Sequence, residues 1–471
     1  MNSHSHAGHW SVAKLIEATG GILLQGDPNH RLANISTDTR SIQPADCFLA
    51  LTGEHSDGHA FIPDALGKGA GALVVSNKRA DRALVASTEV AVIEVSDTLF
   101  ALGEIARYFR LQHPIPVVGI TGSNGKTSTK EMVSAILSQT YEVLKNKGNY
   151  NNLIGVPLTL LSLQPRHRAA VVEMGINVPG EMARLVEISR PTVGLITNVQ
   201  PAHLEGLHSL DEITREKGRL WLSLGADELA VVNLDDERLA AFSKRIRART
   251  VTYAVQAPGA HVKLAGEVAT HEGVSAFAVT LGDQTISVRL PVLGLHHVMN
   301  ALAAMAVGWG MGLPAEIIAA GLANYEPIKM RMQMHRLADG RVLIDDTYNA
   351  NPGSLLAAVQ TVTLESRGKS VIAVLGDMRE LGPESASLHR EVGRRIAALP
   401  VSRLITFGQM TRELTRGAQD AGMRASVCRH AESHQQIVDW LKNEVVKDAW
   451  ILVKGSRSMA MDRVVEGILA G

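Results

Sequence analysis

Short unbroken apolar runs alternate along much of this chain with longer stretches whose apolar positions recur at helical spacing. From Val117 the run PVVGI predicts a buried strand and KTSTKEMVSAILSQ a helix. AAVVEMG and PGEMARLVEISR repeat the pair, PTVGLITNV and SLDEITREKGRLWLSL repeat it again, and ELAVVNL adds a fourth strand. Such alternation predicts a parallel sheet with helices on both faces. VTYAV, VKLAGEV, VSAFAVTL and ISVRLPV, at about residues 250–293, change the character to short antiparallel strands, expected as an insertion or flap in the same domain. After Pro327 the alternation resumes with RVLIDD, GSLLAAVQTVTL, SVIAVLGD, SASLHREVGRRIAAL, LITFG and WILVKG, which predicts a separate Rossmann-like domain. The first 97 residues mix short strands and turns with helices in SVAKLIEATG and FIPDALGKGA. In DTLFALGEIARYFRLQ, Leu99, Leu102, Ile105, Ala106 and Phe109 mark an amphipathic helix. The expectation is an α/β chain of three domains: a small mixed α/β N-terminal domain (1–97), a central domain with a mostly parallel sheet (98–327), and a Rossmann-like C-terminal domain (328–471).

The length of 471 residues agrees with about three domains, and 45% hydrophobic residues supply several cores. Lys+Arg and Asp+Glu both number 47, and aromatics make up 4%. That balance argues against a general nucleic-acid binder, which needs a basic excess and stacking platforms. Cys47 and Cys428 form neither a disulfide framework nor a zinc motif, so a reducing, cytoplasmic home is expected. MNSHSHAGHW has no charged and apolar leader pattern. Its His4, His6 and His9 would fit a metal, but a disordered leader is the favoured reading. The longest apolar run, Val298 to Leu313, falls short of the ~20 residues of a membrane span, and no span is expected.

The strongest local signal is VVGITGSNGKTSTKEM. A buried strand running through a Gly-rich loop into a helix offers backbone N–H groups and a helix N-terminus to a phosphate chain. Lys126 would neutralise phosphate oxygens and the Thr127 hydroxyl would reach Mg²⁺. Gly122-Ser123-Asn124-Gly125-Lys126-Thr127 leaves two residues between the glycines, where the usual motif has four. The plainer alternative is a Gly-rich turn with a surface lysine. Glu173 ends the second buried strand, at the sheet edge where such folds bind ligands, and is a natural Mg²⁺ ligand or else a solvated strand-end carboxylate. His203 follows the third strand and is either a metal ligand or structural.

Lys217 is the most informative single residue. Ser209 and Glu212 read as a capping box that starts its helix. Ile213, Leu220, Trp221 and Leu224 then form an apolar stripe that includes Lys217, while Arg215 and Glu216 are expected on solvated faces. A buried ammonium needs a carboxylate, a phosphate or a modification, unless the side chain snorkels at the stripe's edge. Polar clusters stand out elsewhere: Lys147 to Asn152 precedes the apolar helix GVPLTLLSL, and Asp345 to Pro352, LGDMRELG and LVKGSR each follow strands. Each reads as a turn, yet together they suggest two half-sites facing one cleft.

TGSNGKTSTKEM, GNYNNLIGVPLTLL, EMG, AHLEG, DDTYNANPGS, GDMRELG and LVKGSRSMAM together resemble the Mur ligase family over nearly the whole chain, from Asp38 to about Val465. The shortened loop is that family's own form. The likeness is greatest to the branch that adds D-alanyl-D-alanine (D-Ala-D-Ala). The resemblance implies a UDP-sugar domain, a central P-loop-type ATPase domain and a Rossmann-like domain. It implies ATP and Mg²⁺ as cofactors and UDP-MurNAc-tripeptide as substrate, whose terminal carboxylate becomes an acyl phosphate that the dipeptide amine attacks. Lys126, Glu173, His203 and Lys217 would be catalytic, with Thr127, Glu173, His203 and a carbamylated Lys217 holding metal. Gly122, Ser123, Asn124, Gly125, Lys126, Thr127, Ser128, His297, Asn300, Arg331 and Asp346 would bind ATP. Asp38, Thr39, Arg40, Asn149, Asn151, Asn152 and the stretch from Gly53 to Phe61 would meet the UDP-sugar peptide. Tyr348, Asn349, Asn351 and Lys454 would serve the dipeptide and closure. One departure is His296-His297-Val298-Met299-Asn300, where the family reads His-Asn-x-x-Asn; His297 puts the adenine contact there in question. A monomer is expected. The alternatives are another Mur ligase, a folylpolyglutamate synthase-like ligase, or a nucleotide-binding switch without ligation. The sequence leaves open whether the tripeptide ends in meso-diaminopimelate or L-lysine.

Overall fold

The computed structural model describes residues 9–53, 56–79, 88–201, 204–444 and 446–470. His4, His6 and His203 lie outside them, as do residues 54 and 55 of the stretch from Gly53 to Phe61. The chain divides into two compact units: Met1–Gly119 with Glu142–Met174 and Ala183–Pro191, and Ile120–Tyr141 with Gly175–Met182 and Thr192–Gly471.

In the first unit, β1 (Ile22–Gln25), β2 (Ile35–Ser36), β3 (Cys47–Leu49), β4 (Ala72–Ser76) and β5 (Ala91–Val95) form a sheet in the order β1-β5-β4-β3-β2. All but the β1–β5 pair are parallel. Phe48, Ile62, Leu73, Val75 and Val92 pack together as its core. Helix α1 (Thr98–Leu111) begins where the Asp97 carboxylate accepts from the N–H groups of Leu99 and Phe100, a local stop for the orphan donors of a first turn. The strand β6 (Val117–Thr121) then carries the chain out of this unit. β7 (Val143–Lys145) and β8 (Ala169–Glu173) return to it and pair in parallel.

The second unit opens on the end of β6 and the helix α2 (Lys126–Leu137). β9 (Val193–Ile196), β10 (Leu229–Asn233) and β11 (Arg249–Ala254) follow as parallel neighbours. β12 (Val262–His271) continues parallel to β11, and β13 (Val274–Leu281) and β14 (Gln284–Leu290) turn back antiparallel. The expectation of a flap of antiparallel strands is therefore corrected at its start. VTYA joins the parallel sheet, because the helix Glu237–Phe242 supplies the crossover that parallel pairing needs. Only the hairpin pairs β12–β13 and β13–β14 are antiparallel, and they extend the same sheet.

Between β9 and β10 runs α3 (Leu210–Leu222), and after β14 comes α4 (Leu295–Gly310). Ser209 Oγ accepts from Glu212 N at 3.1 Å, but the Glu212 carboxylate turns to Arg215, so only half of the expected capping box forms. The second sheet of this unit is β15 (Gln333–Arg336), β16 (Val342–Asp346), β17 (Val371–Gly376), β18 (Arg403–Phe407), β19 (Cys428–Ala431) and β20 (Trp450–Lys454), in the order β15-β16-β20-β17-β18-β19. Only β15 runs antiparallel. Leu343, Val374, Ile405, Ile451, Val453 and Met461 fill its core. Helix α5 (Pro352–Glu365) follows β16, with Pro352 in its first turn and a capping box between Asn351 and Ser354. The structure is thus a mixed α/β fold of mostly parallel sheets. No helix among the described residues is long and apolar enough to cross a membrane.

Candidate functional site

The Gly-rich loop sits where β6, buried throughout, gives way to α2. Two of its positions require glycine. Gly125 has φ +79°, and a β-carbon there would lie 2.3 Å from Asn300 Oδ1; at Gly122 one would lie 1.9 Å from Thr197 Oγ1. The Ser123 and Asn124 N–H groups are taken by Asn198 O at 2.9 Å and Asn198 Oδ1 at 3.0 Å. What remains for an anion is the first turn of α2, whose N–H groups have no partner within the helix, and the charge of Lys126. Lys126 Nζ donates to Gly122 O at 2.8 Å. Thr127 is half-buried and Ser128 buried on the same turn. If the loop holds the phosphate chain expected of it, Gly125→Ala should weaken nucleotide affinity about tenfold or more, since the left-handed backbone costs ~1–2 kcal/mol for an L-residue before Asn300 is displaced. Calorimetric titration with ATP checks this; an unchanged affinity would remove the loop's backbone from nucleotide binding.

Lys217 lies on the buried face of α3 and is only 2% exposed. Its Nζ donates to Gly122 O at 3.2 Å, so one loop carbonyl receives both lysines. Burial, and then the charge of Lys126, hold its pKa well below the ordinary lysine value, with Glu216 opposing. Glu216 corrects the expectation of a solvated face. It is 4% exposed; Oε1 accepts from Gly180 N at 2.8 Å and Met182 N at 3.2 Å, and Oε2 pairs with Arg219 at 2.9 Å. The start of the helix Glu181–Ser189 docks there, and helical spacing on α3 alone carries no trace of it. Arg215 is exposed as expected.

In the first unit, Glu173 ends β8 and is buried. Its backbone is clamped by Asn146, which accepts from Glu173 N and donates to Glu173 O, both at 2.9 Å. Asn151 Nδ2 donates to Glu173 Oε1 at 2.8 Å, which fixes one face of the carboxylate. Asn152 instead turns to its own chain just ahead of the helix Gly155–Leu160, its Oδ1 accepting from Ile154 N and Gly155 N, and Asn149 is exposed. Arg40 holds Asp38 through Nε at 2.9 and 3.1 Å and through a terminal guanidinium nitrogen at 2.7 Å, which draws the Asp38 carboxyl below its usual range. Thr39 O accepts from Lys68 Nζ at 2.7 Å.

The ends of β16 and β20 bring the C-terminal residues together. Asp346 and Lys454 face each other in register, and Lys454 Nζ lies 2.6 Å from Asp346 Oδ2 while also donating to Asn349 O at 2.8 Å. Asp346 Oδ1 accepts from Met332 N at 3.2 Å. Arg331 precedes this turn; it donates to Thr127 Oγ1 at 3.0 Å and its guanidinium lies 4.1 Å over the Tyr348 ring. Asn351 Nδ2 donates to Asn124 Oδ1 at 2.6 Å. Arg331 and Asn351 thus reach the Gly-rich loop, and Tyr348 reaches it through Arg331. His297 is 3% exposed, and among the described residues neither ring nitrogen has a hydrogen-bond partner. Burial first, then the neighbouring His296, Arg331 and Lys454, push its pKa well below the usual imidazole value; burial takes neighbouring His296 down to about 4. Asn300 is buried beside Gly125.

Sequence reasoning missed the segment that grips the loop from behind. Thr197 Oγ1 and Asn198 Nδ2 donate to Asn124 O at 2.6 and 3.1 Å, and Gln200 Oε1 accepts from Asn124 Nδ2 at 2.6 Å. The only signal was their place after a strand aimed at the loop.

Three family patterns match the chain: "Mur ligase family, catalytic domain" over residues 31–110, "Mur ligase middle domain" over 120–308, and "Mur ligase, glutamate ligase domain" over 330–457. The chain is 38% identical to the UDP-N-acetylmuramoyl-tripeptide–D-alanyl-D-alanine ligase of Escherichia coli, over 97% of this chain and 98% of that protein. It is 34% identical to the protein of that name from Bacillus subtilis, over 92% and 93%. Among solved structures, MurF from Acinetobacter baumannii superposes with a TM-score of 0.89 at 31% identity, covering 98% of this chain and 99% of that one. The MurF ligase of Thermotoga maritima in complex with ADP gives 0.82 at 26%, covering 92% and 96%.

Proposed function

This chain belongs to the Mur ligase family, and from that premise we propose that it is an ATP-dependent ligase that joins D-alanyl-D-alanine to UDP-MurNAc-tripeptide, forming UDP-MurNAc-pentapeptide for peptidoglycan synthesis. The observation that carries this reading is Arg331 bonded to Thr127 Oγ1, which brings a charged residue of the C-terminal segment onto the Gly-rich loop. A ligase needs both; a nucleotide switch needs only the loop. The curated relatives that cover nearly the whole chain share the dipeptide-adding name, which disfavours the folate branch.

In the proposed reaction the terminal carboxylate oxygen of the tripeptide bonds to the γ-phosphorus as the bond to the β-bridging oxygen breaks, releasing ADP. The free amine of the dipeptide then attacks the acyl carbon, the C–O bond to phosphate breaks, and the amine loses a proton to solvent. Lys126 and the first turn of α2 hold the β and γ oxygens and oppose their charge. Arg331, already at the loop, adds a second cation, and its stacking on Tyr348 limits its freedom. Lys454 and Asp346, paired at the strand ends, position Asn349 near the same edge. Asp38, Thr39 and Arg40, in a first domain of residues 1–97, are proposed to meet the UDP-sugar peptide, as are Asn149, Asn151 and Asn152. The second and third domains of the proposal are 98–327 and 328–471.

Mg²⁺ fits the donor chemistry. The Thr127 hydroxyl and the Glu173 carboxylate are hard oxygen donors, and a carbamylated Lys217 would supply a third; His203 would be a nitrogen ligand. When bound, the ion would neutralise phosphate charge. The enzyme is proposed to act as a monomer in the cytoplasm, where ATP and UDP-sugars are found.

ADP release checks the reading. ATP turnover should be slow unless both UDP-MurNAc-tripeptide and D-Ala-D-Ala are present, because differential binding of these ligands must stabilise the reactive arrangement. Equal ADP release with either substrate omitted would contradict it.

A further inference from the structure

Asn124 is the most fully engaged residue of the Gly-rich loop. Its N–H goes to Asn198 Oδ1, its C=O to Thr197 and Asn198, its Nδ2 to Gln200 Oε1, and its Oδ1 accepts from Asn351. The polarity of these amides is determined by their neighbours. Asn351 Oδ1 is committed to Ser354 N at 2.9 Å as the cap of α5, so Asn351 can offer Asn124 only its NH₂ group. Asn124 must answer with Oδ1, which turns its own NH₂ toward Gln200, and Gln200 must accept. Gln200 cannot drift away, because its N–H donates to Ser123 Oγ and its C=O accepts from that hydroxyl, both at 2.9 Å. The seating of α5 is equally close. A β-carbon at Gly353, in its first turn, would lie 2.0 Å from Gln200 Oε1 and 3.5 Å from Asn124 Nδ2.

We propose that Gln200 is a positioning residue that sets α5 in register with the ATP loop, through the amide chain Gln200–Asn124–Asn351. The chain is complete only when α5 is seated against the loop. Seating α5 also fixes the turn that precedes it, including Asn349, whose C=O accepts from Lys454 at the end of β20. Gln200 touches no reactant. Its loss leaves the Asn124 amide free to rotate, so that Asn351 faces an undirected partner and the aligned arrangement is less populated. The proposal rests on the ligase reading above, in which residues of the C-terminal sheet must be brought to the loop.

The test uses the full-length enzyme with ATP, UDP-MurNAc-tripeptide and D-Ala-D-Ala. Gln200→Ala should lower kcat about tenfold or more while the KM for ATP stays within about twofold and the melting temperature is unchanged. Gln200→Glu keeps an acceptor toward Asn124 Nδ2 and should recover to within about threefold of the unmodified enzyme. Gly353→Ala should match Gln200→Ala, since its methyl group displaces the same amide. Hydrogen exchange in the first turn of α5 should be faster in Gln200→Ala, a readout that needs no turnover. Unchanged exchange overturns the proposal, as does an unaltered kcat in Gln200→Ala or a Glu variant no better than the Ala variant. If the unmodified enzyme forms no ADP yet Gln200→Ala still speeds that exchange, the register stands and the ligase reading falls.

Discussion

Lys126→Ala should cut turnover about a thousandfold or more while the protein remains folded, the cost expected when a preorganised charge at a transferring phosphoryl group is removed. Lys126 begins α2, so its ammonium and the helix N-terminus oppose the same developing charge. Its head bonds a loop carbonyl and is not part of the apolar core, so its truncation should shift the melting temperature by only a few degrees. Lys126→Arg should recover little, because a planar fork cannot take the place of a compact ammonium at Gly122 O. Steady-state ADP release beside circular dichroism separates the two effects. Near-normal turnover in a folded Lys126→Ala variant would take the loop out of the mechanism.

Lys217 should prove to be carbamylated in the active enzyme, and Lys217→Met should lose at least about a hundredfold in turnover while folding normally. Met keeps most of the buried volume without the amine, so the loss would not reflect a cavity. Burial favours the neutral amine, the form whose nitrogen lone pair bonds to the carbon of CO₂ while the proton goes to solvent. The resulting anion would suffer in the same setting without a cation, so the modification should be labile when Mg²⁺ is removed. Carbon-13 NMR after exchange with labelled bicarbonate detects the carbamate independently of activity. The unmodified amine has its own pH signature. Its folded-state pKa is depressed, so between that value and the unfolded value of about 10.4 the unfolded chain binds more protons, and stability rises with pH across that window. In bicarbonate-free buffer the parent enzyme should show this rise and Lys217→Met should not. An uncarbamylated Lys217 in fully active enzyme would leave it only an electrostatic partner of Gly122 O.

What the sequence made legible was whatever is local. The loop glycines, Lys126 and Thr127 sit in one short string, and the parallel strands are short apolar runs. The stripe of Ile213, Leu220 and Trp221 places Lys217 inside by spacing alone. What stayed hidden depends on partners distant in sequence. Glu216 is buried because a separate helix start presents the N–H groups of Gly180 and Met182 to it. Arg249–Ala254 resembles its antiparallel successors in composition, and only the preceding crossover helix makes it parallel. Thr197, Asn198 and Gln200 carry no motif of their own; they matter because they return to the loop some 73 to 77 residues after Asn124 and Ser123. Arg331 reaches Thr127 across 204 residues, through a turn with left-handed backbone at Met330 and Met332 that no periodicity announces.

The central claim is that ATP energises a carboxylate for amide formation, and the fate of that carboxylate's oxygens tests it most directly. UDP-MurNAc-tripeptide with both terminal carboxylate oxygens labelled as oxygen-18 would be turned over with ATP and D-Ala-D-Ala, and the inorganic phosphate and peptide product analysed by mass spectrometry. Transfer through an acyl phosphate places one labelled oxygen in the phosphate and leaves the other in the new amide carbonyl. Phosphate released without label, alongside an unextended tripeptide, would show that water is the acceptor and that the chain hydrolyses ATP without ligation.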